Sequence, residues 1–426
     1  MRIVLLFSVF LVILYIVYLL CQRRNIFVSS FGLDTVTENP DTIERMSNDE
    51  GQIKKMTQKD EMAAISSIKK NVIQTPPQIH SVSESKIYTK YPLEQLCIKA
   101  SYNSAYTGTT GTVTNSYGYI SDEMLKYVLC RGCRFIDFET FYITDIHSNE
   151  TDAFVGYSVG GGADPQNANS VNVKLHYLLS TAIKYGMANQ FAGQNIGINY
   201  SVGNIGDPLF IQIRMNSSTP RENKIKLLSA IQKTVDSLMS NLSYSMYLSN
   251  PNGENPLFSR NTRFSATKTP VFLEQLLSKV VFVVENDSDV MNINATFYDN
   301  FLSQYNVIFL NEGIINAQTD YLQINTSTNK ASPPTIIKAT DADGNMRSMT
   351  DTKVMQTVVP SKNGEPNPNI NTSIFNFGNQ INLVQYYVPD VSGYGNLLRA
   401  EKLFDTLGYA FVPLSSAISY AKDATH

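Results

Sequence analysis

The stretch LCRGCRFIDFE, Leu129 to Glu139, decides how the rest of the chain is read. A helix ending near Cys130 gives way at Gly132 to an apolar run, Arg134–Phe141, that carries two carboxylates, Asp137 and Glu139. Cys130 and Cys133 have CxxC spacing, but a thioredoxin-like motif needs that pair at a helix N-terminus. Here the pair closes a helix and leads into a strand, so the thiols are incidental to redox chemistry. Working outward, the same alternation of short β-branched runs and longer helical segments recurs. Candidate strands are Leu96–Ala100, Arg134–Phe141, Ala153–Ser158, Leu209–Ile213, Val280–Val284, Asn306–Leu310, Ile381–Val388 and Tyr409–Pro413. Eight parallel strands alternating with helices predict an α/β fold of the TIM-type (β/α)8 barrel.

Helix signals support this order. Thr219-Pro220-Arg221-Glu222 combines a cap, a proline at the first helical position and a Glu that reaches back. Ile225, Leu228, Ile231, Val235 and Leu238 follow at helical spacing, directly after the Leu209–Ile213 strand. A second stripe from Val173 to Ile183 carries His176 at a position suited to a core edge or the surface. Residues 311–372 are rich in Thr, Asn, Asp, Pro and Gly, and predict an insertion between two half-barrels. Asp341-Ala342-Asp343-Gly344 departs from the EF-hand loop in its glycine position, and Gly160-Gly161-Gly162 lacks the Lys of a P-loop.

Ahead of this domain, residues 3–20 form an uncharged apolar run long enough, at about 1.5 Å per residue, to cross a bilayer. Tyr15, Tyr18, Arg23 and Arg24 supply interface anchors. A cleaved signal peptide is the competing reading, but the run exceeds the roughly 7–15 residues of a typical h-region and no small-x-small site follows it. The expected organisation is therefore a single-pass N-terminal anchor over residues 1–24, a flexible polar tether over 25–90 in which Met62 to Val72 suits a short helix, and a barrel over 91–421. The expected location is a membrane, with the lipid bilayer a partner through residues 3–20. Arginines on both sides of the span leave its orientation open.

Composition narrows the function classes. The chain has 426 residues, 43% hydrophobic and 17% charged, and a formal net charge of -3. It is globular and lacks the basic excess that nucleic-acid binding requires. Four cysteines and four histidines show no metal-ligand spacing, which argues against zinc. An Asn-, Ile- and Tyr-rich chain without tryptophan fits an AT-rich genome such as that of a large DNA virus or a protist. Eight Asn-x-Ser/Thr tripeptides, at Asn149, Asn199, Asn216, Asn241, Asn286, Asn294, Asn325 and Asn371, do not by themselves fix a lumenal side in so Asn-rich a chain.

Pro92-Leu93, then Cys97-Ile98-Lys99-Ala100 leading to Ser101-Tyr102-Asn103-Ser104-Ala105-Tyr106, then Arg131-Gly132-Cys133-Arg134 and Asp137/Glu139, resemble the X region of phosphoinositide-specific phospholipase C. The resemblance continues through Phe154-Val155-Gly156-Tyr157 and Asp207–Ile213. Similarity to the family's Y region is weaker, at Gly378–Val384 and Gly408–Pro413. It implies a distorted TIM-type barrel with a long insertion. It also implies a chemistry in which one histidine deprotonates the inositol 2-hydroxyl, a second protonates the leaving oxygen, and Ca2+ stabilises the phosphorane.

On that pattern the two histidine positions fall on Tyr102 and Val155. The phenol is a poor base near neutral pH, and valine has no proton to give. Asn103, Asp137 and Glu139 match metal ligands, but Arg214 stands where a carboxylate is expected, and Val283, Val284 and Glu285 stand near the place of phosphate-binding lysines. A guanidinium beside two carboxylates replaces a divalent ion electrostatically, so no cofactor is expected and Ca2+ is disfavoured. The leading expectation is a catalytically degenerate, membrane-anchored module for binding or assembly, its partner a phospholipid headgroup or a protein. The alternative is an active, metal-independent phosphodiesterase. In that case Asp137, Glu139 or His147 does acid/base work with Arg214 as electrophile.

Overall fold

A computed structural model describes residues 61–68, 77–108, 118–145, 149–158, 162, 164–165, 172–187, 202–216, 218–249, 271–285, 305–312, 323–328, 339–340, 346–347, 354–359, 367, 369–388 and 395–424. The chain divides into two compact units, Met1–Lys59 and Asp60–His426, and every described residue lies in the second.

The strands are β1 (Leu96–Ser101), β2 (Phe135–Thr144), β3 (Thr151–Gly156), β4 (Val173–Lys174), β5 (Leu209–Met215), β6 (Val280–Glu285), β7 (Val307–Glu312), β8 (Gln323–Thr328), β9 (Ala339–Thr340), β10 (Met346–Arg347), β11 (Val354–Val359), β12 (Ile381–Val384) and β13 (Phe411–Pro413). The principal helices are α1 (Asp122–Cys130), α2 (Leu175–Gly186), α3 (Arg221–Met239), α4 (Leu242–Leu248), α5 (Ile370–Phe377), α6 (Asn396–Leu407) and α7 (Leu414–Asp423).

Local chemistry sets these bounds. Ser121 caps α1 by accepting the Met124 N–H at 3.2 Å, and Asp122 and Glu123 sit in the first turn, where the helix dipole favours negative charge. Gly132 then turns the chain into β2 with a φ of 87°, a left-handed conformation that costs a side-chain-bearing residue about 1–2 kcal/mol. α3 begins one residue later than the cap signal indicates, with Pro220 rather than Thr219 at the boundary.

Eleven strands form one sheet in the order β13-β1-β12-β11-β8-β7-β6-β5-β2-β3-β4. From β2 through β5, β6, β7, β8, β11 and β12 to β1, every neighbouring pair is parallel. The two ends of this eight-strand run meet at one register pair, Ala100 with Phe135. The first half of the same β1 edge, Leu96 to Ile98, is taken by the antiparallel β13. The continuous ladder of a closed barrel is thus absent along that seam.

Two members of the eight differ from those expected from the sequence. Ala153–Ser158 supplies β3, which folds back antiparallel on β2, because the connection from Thr144 to Thr151 is too short for the dozen or more residues of a parallel crossover. Tyr409–Pro413 supplies β13, antiparallel to β1. Their places are taken by β8 and β11, both inside the 311–372 stretch expected to be an insertion. The segments QINTST and VMQTVV look loop-like by polarity, yet Thr and Val are β-branched and suit a pleated surface.

The part of the expected tether nearest the domain is packed onto it. A helix over 61–68 buries Ala64, Ile65 and Ile68, and Val82 is fully buried. Asp207 accepts the Ser81 hydroxyl at 2.7 Å and the Val82 N–H at 2.8 Å. The expected anchor, residues 1–24, and residues 25–60 lie outside the described residues. Among the described residues no helix is long and apolar enough to cross a membrane.

Register shows how the core ends and the site begins. Phe135 pairs with Phe210 and Phe210 with Val281, and the Phe135 and Phe210 rings stack at 6.1 Å. Strand alternation puts Asp137, Gln212 and Val283 one layer further along the same face, and Glu139 and Arg214 one layer beyond. An apolar floor therefore carries a polar layer at the C-terminal ends of the strands. Against the other face of β1, Lys99 lies 3.0 Å from Glu401, which also accepts Arg131 Nε at 2.9 Å, tying β1, the end of α1 and α6 together.

Candidate functional site

The centre of the site is Asp137, which is 0% exposed on β2. Its Oδ1 accepts Gln212 Nε2 at 2.9 Å and Arg214 Nε at 2.7 Å. Its Oδ2 accepts the Asn103 backbone N–H at 2.9 Å and Arg214 Nη2 at 2.8 Å. The carboxylate thus receives four hydrogen bonds, two of them a bidentate fork from one guanidinium, and its lone pairs are filled.

Arg214 Nη2 also donates to Asn103 Oδ1 at 2.7 Å. Burial works against the guanidinium charge, but Asp137 beside it outweighs that effect and the pKa stands well above its ordinary value. Asn103 follows the end of β1 with a φ of 43°, a left-handed conformation that Asn tolerates better than most residues. The Ser104 N–H donates to the Asp137 carbonyl, and the Asp137 N–H donates to Ser104 Oγ, each at 2.9 Å. These bonds hold the turn against β2.

Glu139 belongs to a second cluster. Its Oε1 accepts Asn216 Nδ2 at 2.7 Å and Ser158 Oγ at 3.1 Å, and its Oε2 accepts the Ser158 N–H at 3.4 Å. The structure therefore joins Asn103, Asp137 and Arg214 directly and sets Glu139 beside them with partners of its own. His147 lies outside the described residues.

The two positions that the resemblance assigns to histidines are occupied by side chains turned to packing. The Tyr102 ring covers the Arg214 guanidinium at 4.6 Å, and burial pushes its hydroxyl up to about 12 despite the cation. Val155 is buried on β3, paired with Thr140 of β2. Nearby, Tyr106 stacks on Tyr157 at 4.7 Å and meets Tyr387 edge-on at 5.1 Å. All three rings are buried, and burial followed by the neighbouring Tyr102 holds the Tyr387 hydroxyl well above its ordinary pKa.

Calcium requires six to eight oxygen ligands with free lone pairs. Here the Asp137 oxygens and Asn103 Oδ1 already accept from a cation, and Glu139 is engaged by Ser158 and Asn216. The residues present do not fit a divalent ion. Among the described residues, no group of three or more His, Cys, Asp and Glu is placed to hold a metal.

Sequence reasoning missed Gln212, Ser158 and Asn216. Gln212 had a usable signal, a lone amide inside the apolar run LFIQI. Ser158 and Asn216 had none, because each lies just past a strand end, where residue type alone does not single it out.

No protein-family model matches this sequence, and no curated protein does. Among solved structures, PLC21 of L. pealei is similar over 76% of this chain and 37% of its own, with 13% identity and a TM-score of 0.45. PLC21 of S. officinalis is similar over the same shares, with 11% identity and a TM-score of 0.43. A calcium-dependent phosphoinositol-specific phospholipase C of Pseudomonas sp. is similar over 80% of this chain and 99% of its own, with 11% identity and a TM-score of 0.42. This chain thus spans little more than a third of the two PLC21 proteins.

Proposed function

We propose that the domain is a phospholipase C-like (β/α)8 barrel whose catalytic end has become an internally neutralised plug, and that it serves as a binding or assembly module at a membrane. The sequence resemblance running from Pro92 to Pro413 supports the family. For the barrel, the support is register. Following the paired residues from β1 through β2, β5, β6, β7, β8, β11 and β12 returns to β1 displaced by eight residues. Eight is the stagger of a closed eight-stranded α/β barrel.

The observation that carries the loss of catalysis is the Asp137–Arg214 fork. It fills the carboxylate that would bind metal, while Tyr102 and Val155 offer neither base nor acid. The reading as a metal-independent phosphodiesterase asks Arg214 to meet a phosphoryl oxygen, and three of its hydrogen bonds already go to Asp137 and Asn103.

The test is turnover of phosphatidylinositol vesicles by the full chain, with Ca2+ and with chelator, beside calorimetric titration of Ca2+. The expected outcome is neither inositol phosphate release nor a calcium binding isotherm, in the native chain or in the Tyr102→His/Val155→His variant. Calcium-dependent release by the native chain overturns the proposal. Metal-independent release that Arg214→Ala abolishes in a still-folded protein establishes the alternative.

A further inference from the structure

Of the eight Asn-x-Ser/Thr tripeptides, the structure describes the acceptor side chain at Asn149, Asn216, Asn241 and Asn371. They fall into two kinds. Asn149 is exposed in the turn between β2 and β3, and Asn241 is exposed at the cap of α4, where its side chain accepts the Ser243 N–H at 3.0 Å. A sugar at either place would project into solvent. Asn216 and Asn371 are 1% and 3% exposed.

At Asn216 the conflict is atomic. N-glycosylation attaches the sugar to Nδ2, and this Nδ2 donates to Glu139 Oε1 at 2.7 Å and to Ser158 Oγ at 3.0 Å. A glycosidic bond there removes one of the two N–H groups and inserts a bulky polar group into a closed site, leaving either Glu139 or Ser158, both buried, short of a donor. Asn371 lies on α5, where a sugar would meet the same steric obstacle. Acceptor tripeptides on a chain entering the lumen are met by the transferase before the fold can hide them, whereas a mature glycan needs a surface position.

We infer that residues 91–421 fold on the side of a membrane that the N-glycosylation machinery does not reach. The orientation that the balanced arginines around residues 3–20 leave open is thereby set by Asn216 and Asn371. The inference is independent of whether the site retains catalysis, since either use of the site needs the native fold.

The test is synthesis of the full chain, with an epitope tag after His426, in the presence of microsomes. The expected result is a tag removed by protease added outside intact vesicles and no shift on endoglycosidase treatment. A protected tag overturns the inference. In a second arm, a cleavable signal peptide in place of residues 1–24 carries the rest of the chain into the lumen. There, glycan at Asn216 and loss of the trypsin-resistant core are expected, with the core restored by an inhibitor of the transferase. A forced chain that carries glycan at Asn216 and keeps its core shows that the sugar is no obstacle, and one that fails to regain the core with the inhibitor shows that the sugar is not what prevents folding; either overturns the argument.

Discussion

At the scale of single residues, Asp137 and Arg214 act as one unit. Each buries a charge that the other neutralises, so removing either alone leaves an uncompensated ion, a change worth about 3–5 kcal/mol in buried pairs. Asp137→Asn and Arg214→Met are each expected to lower the urea midpoint by the equivalent of about 3 kcal/mol. The double variant should cost clearly less than the sum, as a double-mutant cycle would show. Additive costs would mean that the fork is not the stabilising contact.

Asp207 gives a pH dependence. Burial pushes its carboxyl up to about 6, with the Arg134 charge and the bonds from Ser81 and Val82 holding it back. The folded protein therefore keeps this proton at a pH where an unfolded chain, with its carboxyl near about 4, has lost it. The resulting stability is present at low pH and is lost as the pH rises from about 4 to about 6. Urea unfolding of Asp207→Asn is expected to lack this loss, so that stability relative to the native chain shifts in favour of the variant between pH 4.5 and pH 7. The identities of Asn103, Asp137, Glu139 and Arg214 were legible because each stands in a recognisable run. The resemblance set Arg214 beside both carboxylates, but its choice of Asp137 and Asn103, with Glu139 left to Ser158 and Asn216, was not legible, because strand alternation selects a face and the neighbouring strand selects the partner.

At the scale of elements, the turn between α1 and β2 carries a sharp constraint. A Cβ at Gly132 would lie 2.9 Å from Ile79 Cγ1, in a backbone conformation that disfavours any side chain. Gly132→Ala is expected to cost about 2 kcal/mol or more in denaturant unfolding, and a neutral result would show that Ile79 can yield. The contact also explains why residues before β1 are packed and not free: Ile68, Ile79 and Val82 join the hydrophobic core, and Ala64 and Ile65 are buried as well. Polarity averaged over residues 25–90 hid the packing of these few apolar positions, although the helix over 61–68 falls largely in the Met62 to Val72 stretch suited to one, and the same averaging hid β8 and β11. Elements with strong periodicity and caps, such as α1 and α3, were readable. Short strands rich in Thr, Gln and Ser were not, because their stability comes from the neighbours they pair with.

At the scale of the whole molecule, β8 and β11 bridge β7 to β12, so the parallel run is continuous only through residues 323–359. Replacing residues 313–366 with a short linker is expected to abolish cooperative thermal unfolding, followed by circular dichroism. A variant that melts as the native chain does would restore the view of this stretch as a dispensable insertion. By itself the sequence determined the α/β alternation, the polar residues available at the strand ends and the absence of imidazole at Tyr102 and Val155, because these depend on residue type and local period. Only the tertiary structure decided which strands are parallel, which of the two carboxylates takes the Arg214 fork, and which asparagines are sealed from solvent. Those outcomes follow from pairing between segments far apart in the chain, and no local propensity encodes them.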